Sequence, residues 1–276
     1  MAMTVNTNTA ANRAMTQLNK AGRALSGSFQ RISSGLRVSK AADDAAGLGV
    51  AENLKVAAKS AKVAQRNVGD GVSMIAVAEG ASSEVGNILG RMRELAVQSA
   101  SETLGDDERA YVQDEFTALS AEVDRIANVT EFNGKKLTDG SSTTVGVQVG
   151  INATADDQVS ITLGDLTAAT LGVDTGSVDM STSGGASSAI SVIDDAISMV
   201  SGYRSDYGAV ENRLGSALNN LESFTENTMA AESAIRDADF GYETSEMSKN
   251  QILQQAGTAI LAQAKSVNQG ALQLLQ

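Results

Sequence analysis

Residues 11–36 read ANRAMTQLNKAGRALSGSFQRISSGL, and their spacing decides the fold. Ala11, Met15, Leu18, Gly22, Leu25, Phe29, Ile32 and Leu36 recur at alternating steps of four and three. A heptad stripe of this kind asks for a second helix, since one helix alone leaves it in water. The far end of the chain repeats the pattern in Leu253, Gly257, Ile260, Ala264, Val267, Ala271 and Leu274. In both stretches Gly and Ala stand between larger residues, which lets helices approach closely. The two ends are expected to pair with each other and with copies of themselves. Leu18, Leu25, Phe29, Ile32, Leu253, Ile260, Val267 and Leu274 are the candidate subunit-assembly seam.

Composition points the same way. Hydrophobic residues make up 42% of the 276, yet five Phe and four Tyr are the only aromatics. Much of the apolar content is alanine, whose burial returns little at roughly 25 cal/mol per Å². Proline is absent, which suits long helices, because its ring removes an amide donor and clashes with the preceding turn. Cysteine and histidine are absent too, so no disulfide, thiolate nucleophile, imidazole base or zinc–thiolate site can form. No apolar run approaches the ~18 residues of a membrane span. Residues 1–18, MAMTVNTNTAANRAMTQL, lack the basic start, apolar core and cleavage site of a secretory signal peptide. Taken alone, those features suggest a cytoplasmic protein.

The net charge of −12 is unevenly spread. Every acid falls within the stretch from Asp43 to Glu246. Before it stand Arg13, Lys20, Arg23, Arg31, Arg37 and Lys40, and after it only Lys249 and Lys265. Sparse bases without interleaved aromatics are a poor nucleic-acid surface. Two weakly charged ends built to pack and an acidic, solvated middle are the better reading.

That middle holds three further helical runs. Residues 57–103 carry Ala61, Ala64, Val68, Val72, Ile75, Ala78, Val85, Leu89 and Met92 at helical spacing. Gly105 ends the run, and Asp106 or Asp107 caps a second helix over 107–129, with Val112, Phe116, Leu119, Val123 and Ile126 on one face. A third, over 187–233, shows Ile190, Ile193, Ile197, Val200, Tyr207, Val210, Leu214 and Leu221. Residues 130–186 differ: Val145, Val147, Val149, Ile151 and then Val159, Ile161, Leu163 alternate with small or polar residues, the signature of a β-hairpin. STSGGASS, residues 181–188, reads as a flexible connection. The fold class expected is mainly α, with the terminal helices paired as a coiled coil beside an elongated three-helix bundle bearing a small β-hairpin region. Domain boundaries are expected at 1–42, 43–240 and 241–276.

No stretch supports catalysis. Asp43-Asp44 beside Gly47 and Gly49 reads as a capped turn rather than an acid–base pair. GLGVAE lacks the third glycine and preceding strand of a dinucleotide fingerprint, and no phosphate loop precedes Lys135. The Ser/Thr-rich stretches 141–144 and 181–188 are candidate glycosylation sites, with linker as the plainer reading. No cofactor, no metal and no catalytic residue is expected.

The motifs RISSGLRVSKAADDAAGLGVAENL (31–54), RMRELAVQSA (91–100), EFNGKKL (131–137), GAVENRL (208–214), AAESAIRDADF (230–240) and ILQQAGTAILAQA (252–264) occur in an order that closely resembles the bacterial flagellins. VNQGALQLL (267–275) departs from members with proline after the valine, without breaking the seam. The resemblance implies a structural subunit of an extracellular flagellar filament used for swimming, in a minimal form without large outer domains. A metallopeptidase insert like that of some members is excluded by the missing histidine. The resemblance further implies export as an unfolded chain through a type III apparatus, and partners among an export chaperone, the filament cap and hook-junction proteins. It thereby overrides the cytoplasmic expectation. It also matches Arg91, Leu95 and Glu115 to the positions sensed by a vertebrate Toll-like receptor, with Gly90 where glutamine is often found. The competing reading for those residues is a bridge between facing helices or a subunit contact. Rival functions are a hook–filament junction protein with the same ends and, more distantly, an intracellular coiled-coil scaffold.

Overall fold

The computed structural model describes residues 7–273, and the elements run α1 (Thr9–Ser34), α2 (Ala45–Ser99), α3 (Asp106–Val129), β1 (Glu131–Phe132), β2 (Lys135–Lys136), β3 (Thr144–Gln148), β4 (Gln158–Thr162), α4 (Ala168–Leu171), α5 (Ser183–Arg236) and α6 (Phe240–Gln273). Leu274 lies outside the described residues, and so do the side chains of Val267 and Ala271. The described chain forms two compact units. One contains α1 and α6 with residues up to 57 and from 226 onward; the other is 58–225. Because α2 and α5 supply residues to both, the divisions between these units fall within continuous helices.

Unit 58–225 has a conventional interior in two parts. In one, α2, α3 and α5 close around Leu89, Met92, Phe116, Val123 and Ile193. In the other, α3 has ended and the β3–β4 hairpin takes its place against α2 and α5. There Val147, Val159 and Ile161 pack with Ile75, Tyr207 and Leu214. The strands alternate inward and outward, so a five-residue antiparallel pair presents one apolar face. Asn133 and Gly134, both at positive φ (51° and 76°), make the two-residue turn of the short β1–β2 hairpin, a favoured use of Asn-Gly.

Two expectations change. The segment 181–188 is not a flexible linker, since α5 begins at Ser183 and Ala186 is fully buried. Helix α2 starts at Ala45, well before residue 57, because Asp44 Oδ1 accepts the Gly47 amide at 2.9 Å and caps it. Local capping extends the helix where the apolar periodicity is too weak to show it. The irregular stretch 163–182 is also buried, through Leu166, Leu171, Val173, Val178 and Met180. Its backbone is satisfied by α2 and α3 side chains. From α3, Asp124 accepts from the Ala168 amide at 2.8 Å, Ser120 donates to the Val173 carbonyl at 3.0 Å, and Gln113 accepts from the Met180 amide at 2.7 Å. From α2, Ser99 donates to the Met180 carbonyl at 2.7 Å. Buried non-helical backbone needs such partners.

Candidate assembly surfaces

Helix α1 is held at its start by Asn8, whose carboxamide oxygen accepts the Ala11 amide and whose nitrogen donates to the Ala264 carbonyl at 2.9 Å. Gly35 ends it in the left-handed conformation. Helix α6 runs antiparallel to it. Along the pair, Gly257 meets Leu18, Arg31 Nη1 lies 3.0 Å from Glu243 Oε1, and Leu36 bridges Asp237. A Cβ at 257 would sit 3.1 Å from Leu18 Cδ1, a tight approach at which Leu18 would have to give way.

The facing edges keep a seven-residue period but are offset from the sequence expectation. On α1 the covered or half-covered run is Ala11, Ala14, Leu18, Ala21, Leu25, Ser28 and Ile32, with Gly22, Gly27 and Arg31 half-covered beside it. On α6 the run is Glu243, Met247, Asn250, Gln254, Gly257, Leu261 and Ala264, with Glu246 half-covered beside it. Leu18, Leu25 and Ile32 therefore belong to the edge inside the chain. Met15 and Phe29 are displaced from it by one residue and stand 54% and 66% exposed. On α6, Leu253 and Ile260 are displaced likewise, at 49% and 60% exposure. Ala14, Ser28 and Gln254 take the covered places expected of Met15, Phe29 and Leu253, and Leu261 takes that of Ile260. Leu253 and Ile260 line one side of a groove of about 970 Å³ whose charged residues are Arg13, Lys20 and Lys249, with no acid.

The inner edge is partly polar. Glu243 and Asn250 are buried; the first pairs with Arg31, and the second donates to the Glu246 carbonyl at 2.8 Å. The apolar heptad legible in the sequence begins only at Leu253. Counted back by sevens, Gly257 leads to Asn250 and Glu243, a continuation hidden because those residues are polar.

A second cluster lies on α2 and α3. Arg91 donates to Glu115 Oε1 through Nε at 3.0 Å and Nη2 at 2.8 Å, and to Glu94 Oε2 at 2.9 Å. Hydrogen bonding to Glu115, then to Glu94, raises the arginine pKa further above its ordinary value. Arg91 and Glu115 are exposed or half-exposed, whereas Leu95 is 1% exposed and belongs to the core. Leu95 thus offers no side chain to an outside partner beyond the floor of the shallow groove beside Tyr111.

Asp43 and Asp44 are turn residues. Asp43 Oδ2 accepts from the Lys40 and Ser39 amides, and those bonds, led by Lys40, lower its pKa. Among the described residues no group of three or more Asp, Glu, His or Cys side chains is placed to hold a metal.

Comparison with known proteins gives the chain's relatives. Residues 5–143 match the family profile for the bacterial flagellin N-terminal helical region, and residues 190–275 match the one for the C-terminal helical region. A flagellin of Halalkalibacterium halodurans is 43% identical, with 90% of each chain covered. One from Bacillus subtilis is 39% identical over 99% of this chain and 100% of its own. In fold, the chain is similar to a solved structure assigned as a flagellar hook-associated protein of Vibrio parahaemolyticus. The TM-score is 0.56 at 15% identity, covering 71% of this chain and 99% of that one.

Proposed function

The chain belongs to the bacterial flagellin family, and on that premise we propose that the outward residues of its paired terminal helices make the subunit contacts. It is a structural subunit of the extracellular flagellar filament that polymerises with its own kind, and it is not an enzyme. The hook–filament junction reading is not favoured, since the relatives of high identity are flagellins.

The observation that carries the proposal is the inversion of α1 and α6, with Met15, Phe29, Leu253 and Ile260 outward and Glu243, Asn250 and Ser28 inward. Covering one such apolar side chain is worth about 1.5–3 kcal/mol, and each recurs in every added subunit. Residues 1–40 and 245–276 fold fully only when neighbours cover these faces, and the ordering cost is met by the contact itself. Val267 and Leu274 extend the same seam in sequence. Export as an unfolded chain, escort by a chaperone, and addition beneath a cap following the hook-junction proteins complete the proposed route.

The test is seeded growth from purified monomer. Ile260→Asp should leave a folded, soluble monomer by circular dichroism and abolish elongation seen by electron microscopy, because it places an unpaired carboxylate in the contact. A chain lacking residues 250–276 should behave the same way. Filaments of normal length from either variant would overturn the proposal.

Recognition of the monomer by a host Toll-like receptor is a further part of the proposal, carried by exposed Arg91 and Glu115. Arg91→Ala should weaken reporter-cell signalling, and unchanged signalling would count against it. Leu95→Ala is a poor probe, because it opens a core cavity instead of removing a surface contact.

A further inference from the structure

The charges of unit 58–225 are arranged along α2 in a way that its internal packing leaves unexplained. The unit holds 24 acids against 11 bases. Arg91, Arg93, Arg125, Lys136 and Arg204 are ion-paired, and Arg109 is buried against the Ser99 and Ser101 carbonyls. Of the other five, Lys135 and Arg213 stand elsewhere, on β2 and α5, whereas Lys59, Lys62 and Arg66 stand at steps of three and four on one exposed face of α2, and none of these three has an ion pair among the described residues. They lie in the first half of α2, where the helix dipole offers no attraction for cations. Val63, 46% exposed, stands beside them and borders a groove of about 560 Å³ lined by uncharged residues.

At the other end of α2 the charge is reversed. Glu102, Asp106, Asp107 and Glu108 are all exposed and have no ion pair among the described residues. Their place at the start of α3 accounts for three of them, but not for Glu102 or for the unpaired basic face. Between Lys59 and Ser99 the helix is unbroken, so about 60 Å separates the two patches at ~1.5 Å per residue. One chain cannot bring them together. Two chains placed head to tail can, and a contact between different patches on identical subunits runs on as an open filament wherever its rotation does not close into a ring.

We propose that the basic face Lys59–Lys62–Arg66 of one subunit receives the acidic tip Glu102–Asp106–Asp107–Glu108 of the next. The inference rests on the flagellin reading and adds a specific subunit contact to it, separate from the terminal helices. The bases are the docking surface, Val63 gives it an apolar centre, and the tip is the complementary charge available at the opposite end of the same unit.

Seeded elongation of the full chain tests it, comparing wild type with the triple variant Lys59→Glu, Lys62→Glu, Arg66→Glu. Thermal unfolding of the monomer should be unchanged, since all three side chains are exposed. The concentration needed to sustain growth should rise about tenfold, the scale that a few exposed ion pairs supply. Adding Glu102→Lys, Asp106→Lys and Asp107→Lys to the same chain should restore growth toward the wild-type concentration. Growth of the triple variant at that concentration would overturn the contact. Impaired growth without rescue would overturn the tip as its occupant. Failure of wild type itself to elongate would instead refute the filament reading, which keeps the two outcomes apart.

Discussion

Unit 58–225 and the α1–α6 pair are built from the same materials, long alanine-rich helices with a periodic stripe, and they use the stripe in opposite senses. In the first, Phe116, Tyr207, Ile193, Leu89 and Met92 are inside. In the second, the inner edge holds Ser28, Glu243 and Asn250, while Phe29, Ile252, Leu253 and Ile260 face outward. Helical periodicity therefore reports that a face is meant to be covered, but not by what. The bundle covers it with its own chain; in the proposed assembly the α1–α6 pair leaves it for a copy.

The largest break in this comparison should come from paired truncations. Phe116→Ala should cost the monomer about 3–5 kcal/mol, seen as a lowered midpoint in chemical unfolding. Phe29→Ala should leave that midpoint nearly unmoved and reduce elongation instead. Equal loss of monomer stability from both would show that Phe29 is covered within the chain.

A smaller effect is expected at the helix crossing. Gly257→Leu forces a side chain into Leu18, at a cost of about 1–3 kcal/mol. Amide exchange should speed up in α1 and α6 and stay unchanged in α3. Next comes the buried carboxylate: Arg31→Ala leaves Glu243 without its partner, whereas Glu243→Gln keeps a hydrogen bond and removes the charge. The first should therefore loosen the pair more than the second, by about 1–2 kcal/mol in the same exchange measurement.

Acid should separate the units more gently. Hydrogen bonding to Arg93 lowers the pKa of Asp194, and Arg125 does the same for Glu122. A carboxylate with a lowered folded pKa contributes fully above its unfolded value of about 4 and loses that contribution as pH falls through and below it. Unit 58–225 also has Asp139 and Asp179 shifted downward by hydrogen bonds from Ser141 and Ser181. In the α1–α6 unit only Asp43 shows such a shift among the described residues. Between about pH 5 and pH 3, unit 58–225 should therefore lose more protection than α1 and α6 do, measured by residue-resolved exchange. The smallest change belongs to Arg93→Ala, which removes a half-exposed ion pair and should leave the unfolding midpoint close to that of wild type.

By itself the sequence determined the mainly helical class, the pairing of the two ends, the β3–β4 hairpin and the exclusion of thiol and imidazole chemistry. These follow from local rules: missing proline, cysteine and histidine, and apolar residues repeating at 3.5 or 2 positions. It also placed Leu18, Leu25 and Ile32 on the facing edge. Only the tertiary structure decided that Ala14 and Ser28, not Met15 and Phe29, complete that edge, that Leu95 is buried behind Arg91 and Glu115, and that 163–182 is packed. A seam of fixed period can sit on its partner in registers one residue apart. The choice is made by close approaches such as Gly257 on Leu18 and by the pairing of Arg31 with Glu243. Those contacts join residues more than 200 positions apart, where no local pattern reaches.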